Sequence, residues 1–521
     1  MFRPFSFRTD KPTEKKAPKT AAQPNASQPD LPEVSASIQE NKAHFERLFQ
    51  DNETMLCRKI RNQNNPSLYF YLFYSDGMTD MGELNENVLL PLNQFSEKLG
   101  ADPIQTLTEK ILPLGSLQVS QSWDEIIKAV TYGDAILFLP GCNRAVILEA
   151  KCFSLRAVQE PDSEKILTGP REGYNEDLNT NLTLLRRKLR TNDLKIKYRT
   201  FGRRTQTRAC LCYMDSIVNK NVLKQLQERL DKIDIDGVFD TNYLTELIRD
   251  ASLSAFRTTG YTERPDVTAA KLLEGRIAIF LDGTPVVLTV PYLFIENFQS
   301  SEDYYLNFFY TSFSRMLRIL SFFLTISIPG FYIAIVAFHH EMLPTPLLLY
   351  IASERQGVPL PAAAEAFIML LVFDILRETG IRMPSNIGQA LSIVGALVIG
   401  QAAVEAKLVA APMIIIVGMT GITGLLVPKL NAPIIFTRVF ILCAATIMGL
   451  FGMALAFCAL AIHLLNLDSF GISQLTPSGK LQFQELKDKP IRAPMWDMIT
   501  RPKTLTRNVV RMNPHHKMKE E

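Results

Sequence analysis

Hydrophobic positions are sparse before residue 42, fall in short mixed runs from there to about 300, and become nearly continuous from about 315 to 468. The last stretch sets the architecture. Residues 319–338 carry no Asp, Glu, Lys or Arg. As a helix rising about 1.5 Å per residue, they are long enough to cross a hydrocarbon core of about 30 Å. Residues 387–404, 408–427 and 434–465 repeat the pattern, the last with Arg438 and His463 near its ends, so the spacing predicts four crossings. The apolar pieces within residues 339–384 are shorter. Residues 363–373 reach across about half the core as a helix, and Glu365, Asp374, Arg377 and Glu378 flank or interrupt them. With Pro344, Pro346, Pro359 and Pro361 as breaks, this segment predicts a re-entrant or interfacial helical pair. Arg315 and Arg318 precede the first crossing and Lys and Arg crowd the end of the chain, which places both termini in the cytoplasm and requires an even number of crossings.

Before the membrane domain, helical and strand periods alternate. Residues 1–43 are rich in Pro, Ala, Ser, Gln and Lys and predict a disordered arm. Residues 44–168 predict a first cytoplasmic α/β domain, with strands at 68–74, 135–139 and 145–150 and helices at 88–99 and 122–132. Residues 169–298 predict a second, with helices at 179–190, 221–232 and 241–256, strands at 194–198 and 208–214, and a hairpin turning at Asp282-Gly283. Aromatic residues 294–313 predict a helix lying along the cytoplasmic leaflet, leading into a membrane domain at 299–468 and a basic cytoplasmic tail at 469–521. The fold class is thus multi-domain, with α/β domains before an α-helical membrane domain.

The net charge of +3 is too small to point to nucleic acid. Seven cysteines without a CxxC pair point to a reducing compartment and to neither a zinc site nor a disulfide framework. No catalytic set emerges, and an enzyme is not expected. Gly169-Pro170-Arg171-Glu172-Gly173 lacks the Lys-Ser/Thr of a nucleotide loop, and His339-His340 lacks the spacing of a helical metal site, so no cofactor or metal is expected. The basic residues between Arg186 and Arg208 read best as a solvated face paired with acidic residues of a neighbouring subunit.

Residues 329–417, beginning PGFYIAIVAFHHEMLPTPLLLYIASERQGVPLP, closely resemble the A subunit of GerA-type spore germinant receptors. GPREGYNEDLNTNLTLLRRKLRT (169–191), TERPD (262–266) and LLEGRIAIFLDGTP (272–285) resemble the same family's soluble part; the stage V sporulation AF branch shares the membrane motifs. The resemblance implies a multi-pass protein of the spore inner membrane. It implies that the chain acts with a B subunit of transporter-like fold and a lipoprotein C subunit, as a ring that conducts ions when nutrients act. A non-conducting scaffold and a secondary transporter are the competing functions, the transporter weakened by the few crossings.

Within the second predicted crossing, Gly388, Ser392, Ala396 and Gly400 recur every four residues, with Gln389 inside the same arc. A pore lining by Gln389, Ser392, Ala396 and Gly400 and a packing seam fit this face equally well. Gln401 and Glu405 fall on another face; with Glu365 they are the candidate intramembrane polar or gating residues, and Lys407 or a neighbouring subunit is the expected partner of Glu405.

Overall fold

The computed structural model describes residues 33–511 except 66–67, 96–102, 108–110, 113–116, 153–159, 162–163, 383–394, 396–397, 476–486, 503–504, 507 and 509. Domain 1 runs α1 (Ile38–Leu48), β1 (Met55–Arg61), β2 (Tyr69–Ser75), a helical run from Met81 to Gln94, β3 (Leu117–Ser120), α2 (Trp123–Thr131), β4 (Ala135–Phe138) and β5 (Ala145–Leu148). Its sheet has the order β1-β2-β4-β5-β3, and every neighbouring pair is antiparallel. Helix α1 lies partly inside the segment expected to be a disordered arm. Val34, Ile38 and Phe45 bury themselves against Phe73, Trp123 and Phe138, so the ordered chain starts well before residue 44.

Domain 2 repeats this plan. It runs α3 (Leu178–Lys188), β6 (Leu194–Phe201), β7 (Thr207–Met214), α4 (Lys220–Leu230), α5 (Thr241–Ile248), β8 (Gly260–Thr262), α6 (Pro265–Leu273), β9 (Ile277–Leu281) and β10 (Val287–Val290). The sheet order β6-β7-β9-β10-β8 is the order of domain 1 moved along the chain, and its pairs are again antiparallel. The layers match as well. In each sheet one face is covered by the first helix and the helix before the hairpin, and the other by the helices that follow the second strand. Burial on both faces explains why β4, β5, β9 and β10 read as continuous apolar runs instead of alternating ones.

Local chemistry confirms the repeat. Ser37 and Asp177 cap α1 and α3 by accepting from the backbone N–H of Glu40 and Thr180. Four residues into each motif, a buried Asn folds back on the chain before the cap. Asn41 Oδ1 accepts from Ser35 N at 2.9 Å and its Nδ2 donates to Ser35 O at 2.6 Å; Asn181 does the same to Asn175 at 2.8 and 2.6 Å. Before each hairpin, Gly133 and Gly275 take positive φ (106° and 94°), and GDAILFLPG and GRIAIFLDG then match position by position. Both glycines end the preceding helix where a side chain would be strained.

The membrane part begins differently from expectation. Residues 294–304 form two 3-10 turns, Phe294–Phe298 and Ser301–Tyr304, in place of a helix along the leaflet. Phe294 and Phe298 turn inward against Phe322, which removes the aromatic face such a helix would need. Then follow α7 (Phe308–Phe338), α8 (Thr345–Arg355), α9 (Ala362–Arg382), α10 (Ala411–Leu425) and α11 (Asn431–Leu465). Among the described residues, Phe308–Phe338 and Pro428–Leu465 are long and apolar enough to cross a membrane. The span expected at 408–427 forms the 15-residue α10, which at about 1.5 Å per residue falls short of a hydrocarbon core. Most of the span expected at 387–404 lies outside the described residues. The helical pair expected at 339–384 is present, but its second member, α9, runs unbroken for 21 residues through the charges expected to interrupt it. Helix α11 kinks at Gly449 (φ 60°), where the end of α7 arrives: a Cβ there would stand 2.8 Å from His339 Cε1.

Past α11 the chain returns to domain 2. A two-stranded turn, β11 (Asp468–Ser469) and β12 (Ile472–Ser473), inserts Phe470 into the apolar core under β7 and β9. Residues 487–511 then lie along the base of α7 and the membrane-proximal end of domain 2. Over its described residues this basic tail is a strap.

Candidate functional site

The most heavily built polar site lies where domain 2, α7 and the strap meet. Asn307 caps α7 by accepting from Phe309 N, and Arg315 and Arg318, three apart on the first turns, face one way. Their common target is Asp303, held in the preceding 3-10 turn. Arg315 Nε donates to Asp303 Oδ2 at 3.1 Å and Arg318 Nη2 to Oδ1 at 3.0 Å. Arg315 also donates through Nη1 to the Oδ1 and backbone carbonyl of Asp488 and to the carbonyl of Lys489, each at 3.1 Å. Tyr304 and Gln299 donate to the same Asp488, at 2.9 and 2.7 Å. Two guanidinium groups thus meet two carboxylates with Arg315 and Asp303 fully enclosed, an arrangement that holds only while every charge keeps its partner.

A second network sits beside it on domain 2. Arg276 is buried between Glu274 (2.5 Å) and Glu296 (2.8 Å), and Lys271 Nζ lies 3.2 Å from Glu296. Burial alone would raise Glu296, but Arg276 and Lys271 outweigh it and hold the carboxyl at about 2. Arg511 of the strap reaches Glu274 at 2.6 Å, and Thr506 Oγ1 donates to Ile217 O. A cavity of about 50 Å³ separates the two networks, lined by Glu274, Arg276, Glu296, Asp488 and Arg511 among others. Its charged side chains lie among Leu293, Ile295, Met498 and Pro502. Asp488 is pushed up by burial, with Arg315 pulling it back down.

Ion pairs also join helices α8, α9 and α11. Glu365 on α9 is fully buried, 3.3 Å from Arg355 of α8, and accepts from Ala410 N at the start of α10. Asp374, two to three turns further along α9, binds Arg438 of α11 at 2.5 Å and Arg377 at 3.4 Å. These pairs explain how α9 continues through its charges: each is matched by a neighbouring helix or by its own next turn.

The chain matches the Bacillus/Clostridium GerA spore germination protein family over residues 43–504. It belongs to this family. Spore germination protein KA of Bacillus subtilis (strain 168) is 38% identical over 476 residues, covering 91% of this chain and 88% of that protein. Spore germination protein GerLA of Bacillus cereus is 36% identical over 432 residues, covering 82% and 88%. Among solved structures, the N-terminal domain of the A subunit of the Bacillus megaterium spore germinant receptor GerK3 is 29% identical, with a TM-score of 0.41, covering 50% of this chain and 97% of that one.

In this GerA-family chain the residues singled out in the sequence are not gathered in one place. Gln389, Ser392 and Ala396 lie outside the described residues. Gly400 is buried, and a Cβ added to it would touch Ile414 of α10 at 3.7 Å, so it sits in a helix contact. Gln401 and Glu405 are exposed and bonded to each other, Nε2 to Oε1 at 2.9 Å, while the expected partner Lys407 lies along Gly357. Glu365 is the one whose surroundings are those of a latch, joining three helices. The basic face at 186–208 finds its acids within the chain: Lys188 with Glu172, Lys197 with Asp51, Arg199 with Asp231 and Arg203 with Asp234. The fold brings these acids alongside from distant parts of the sequence, and so the neighbouring subunit expected there is not needed for them. The junction of Asp303, Arg315, Arg318 and Asp488 was missed. Its signal was the closely spaced pair Arg315 and Arg318, read for topology alone.

Proposed function

We propose that the chain is the conducting subunit of a nutrient germinant receptor of the spore inner membrane. Several copies form a ring there, gated through a transporter-like partner with a lipoprotein as third component. The feature that supports this reading is the junction at Arg315: the α/β domains are joined to the first apolar helix by buried ion pairs instead of a loose linker, so a shift of domain 2 is carried into α7. Family membership supplies the link to germination. In this reading residues 387–404 face the ring axis through Gln389, Ser392 and Ala396.

The test is nutrient-triggered cation efflux from spores, measured beside oligomer yield. Ala396→Leu should stop efflux from a normally assembled ring, and Ser392→Ala should leave it intact or leaky. Gly400→Leu should reduce assembly, because the new side chain meets Ile414. Normal nutrient-triggered efflux with a well-assembled Ala396→Leu ring would remove this helix from the ion path and place that path along residues 339–384 instead.

A further inference from the structure

The loop between α5 and β8 clasps the domain-2 end of α11. Ser254 Oγ lies 2.9 Å from His463 Nε2, and the Phe256 ring stands 5.9 Å from the His463 ring while packing in one cluster with Phe294, Phe322, Leu464 and Leu467. His463 is two residues from the end of an apolar helix, so this loop is level with the boundary where that helix leaves the hydrocarbon. One residue before Ser254, Leu253 projects with its side chain fully exposed. The nearby end of α11 exposes Ile462 and Leu465, and Arg249 and Arg257 flank the loop. An aliphatic side chain standing free beside an apolar helix end, between two arginines, has the composition of a membrane-interface anchor.

We propose that residues 251–255 dip into the cytoplasmic leaflet, with Leu253 among the upper acyl chains and Arg249 and Arg257 at anionic headgroups. The occupant of this surface is lipid. The exposed apolar side of α11 and Leu253 meet at one level as a continuous surface, and the clasp on His463 fixes the loop there. Domain 2 would thus be seated on the bilayer at a second point, away from the strap. The inference rests on the membrane reading of α11 and is independent of ion conduction.

The test uses the full chain in anionic lipid nanodiscs, with its native cysteines replaced and one cysteine at Leu253→Cys carrying an environment-sensitive fluorophore. A second form carries the probe at Lys232→Cys, an exposed site on the same domain. The 253 probe should emit to the blue of the 232 probe and lose intensity when spin-labelled lipids bear the quencher near the headgroup. Lys232→Cys should respond to neither. Water-like emission at 253, unchanged by lipid quenchers, would overturn the proposal. So would a blue shift that disappears when each nanodisc holds a single copy, which would assign the surface to a second chain. Because the site is fully exposed, the substitution does not disturb the core, and a probe at Ile462→Cys checks separately that α11 itself is in lipid.

Discussion

Domains 1 and 2 share one strand order, one pattern of helical layers, and the same Asn clamp and positive-φ glycine, yet they are held in opposite ways. The residue after the shared glycine shows the difference. In domain 1 it is Asp134, pushed up by burial with Lys151 opposing. In domain 2 it is Arg276, enclosed by Glu274 and Glu296 and connected through Glu274 to the strap. Domain 1 is attached to domain 2 by a lighter set of bonds. Glu53 N donates to Ile196 O on the edge of β6, and buried Arg186 Nη2 donates to Asn52 Oδ1 at 2.7 Å and to Thr54 Oγ1, while the ion pair of Lys197 with Asp51 at 3.1 Å lies at the surface. One plan therefore serves two mechanical roles: domain 2 is bolted to the membrane helices and domain 1 is hung from domain 2.

The sharpest way to break this contrast is to remove a buried charge at each attachment. Arg315→Met leaves Asp488 without its counter-ion and Asp303 with Arg318 alone, and should cost about 3–5 kcal/mol, seen as a lower unfolding temperature in detergent and less protein in membranes. Acid should act on the same end of the molecule. Glu296 has a folded pKa of about 2, below the unfolded value of about 4.3, so it contributes stability above that value. The contribution, on the order of 3 kcal/mol, is lost as pH falls from about 4 to about 2. Glu296→Gln should flatten this acid limb of the stability curve.

Smaller effects sharpen the comparison. Arg186→Met removes a charged hydrogen bond to neutral partners and should cost about 1.5–3 kcal/mol. Hydrogen exchange should then rise along β6 and the segment at Asn52 while the Arg315 junction stays protected. Asn41→Ala and Asn181→Ala each remove the same two hydrogen bonds and should cost about 1–2 kcal/mol apiece, loosening only the domain that carries them. Both side chains are buried, so unequal costs would show that the two domains back these like clamps differently.

Most of the soluble fold was legible because its strands are apolar runs ended by turn residues, as in 135–139 and around Asp282-Gly283. Strand β1 was not. Its side chains are mostly exposed and charged at a sheet edge, so MLCRKIR carries neither an apolar run nor a clean alternation. The repeat was hidden for a similar reason: outside GDAILFLPG and GRIAIFLDG the two domains fill equivalent positions with different residues, Phe45 and Leu185 for example. The junction was illegible because Asp488 lies far from Arg315 along the chain. No local period reveals that the tail returns.

With these attachments, domain 2 and the base of α7 should move as one body while domain 1 does not. Distance distributions between spin labels test it most directly, in the full chain with its native cysteines replaced. One pair joins Lys232→Cys of domain 2 to Phe309→Cys at the start of α7; the other joins Arg61→Cys of domain 1 to the same Phe309→Cys. The first pair should give a narrow distribution and the second a broader one, with Arg315→Met widening the first. A first pair as broad as the second, or one unchanged by Arg315→Met, would contradict it.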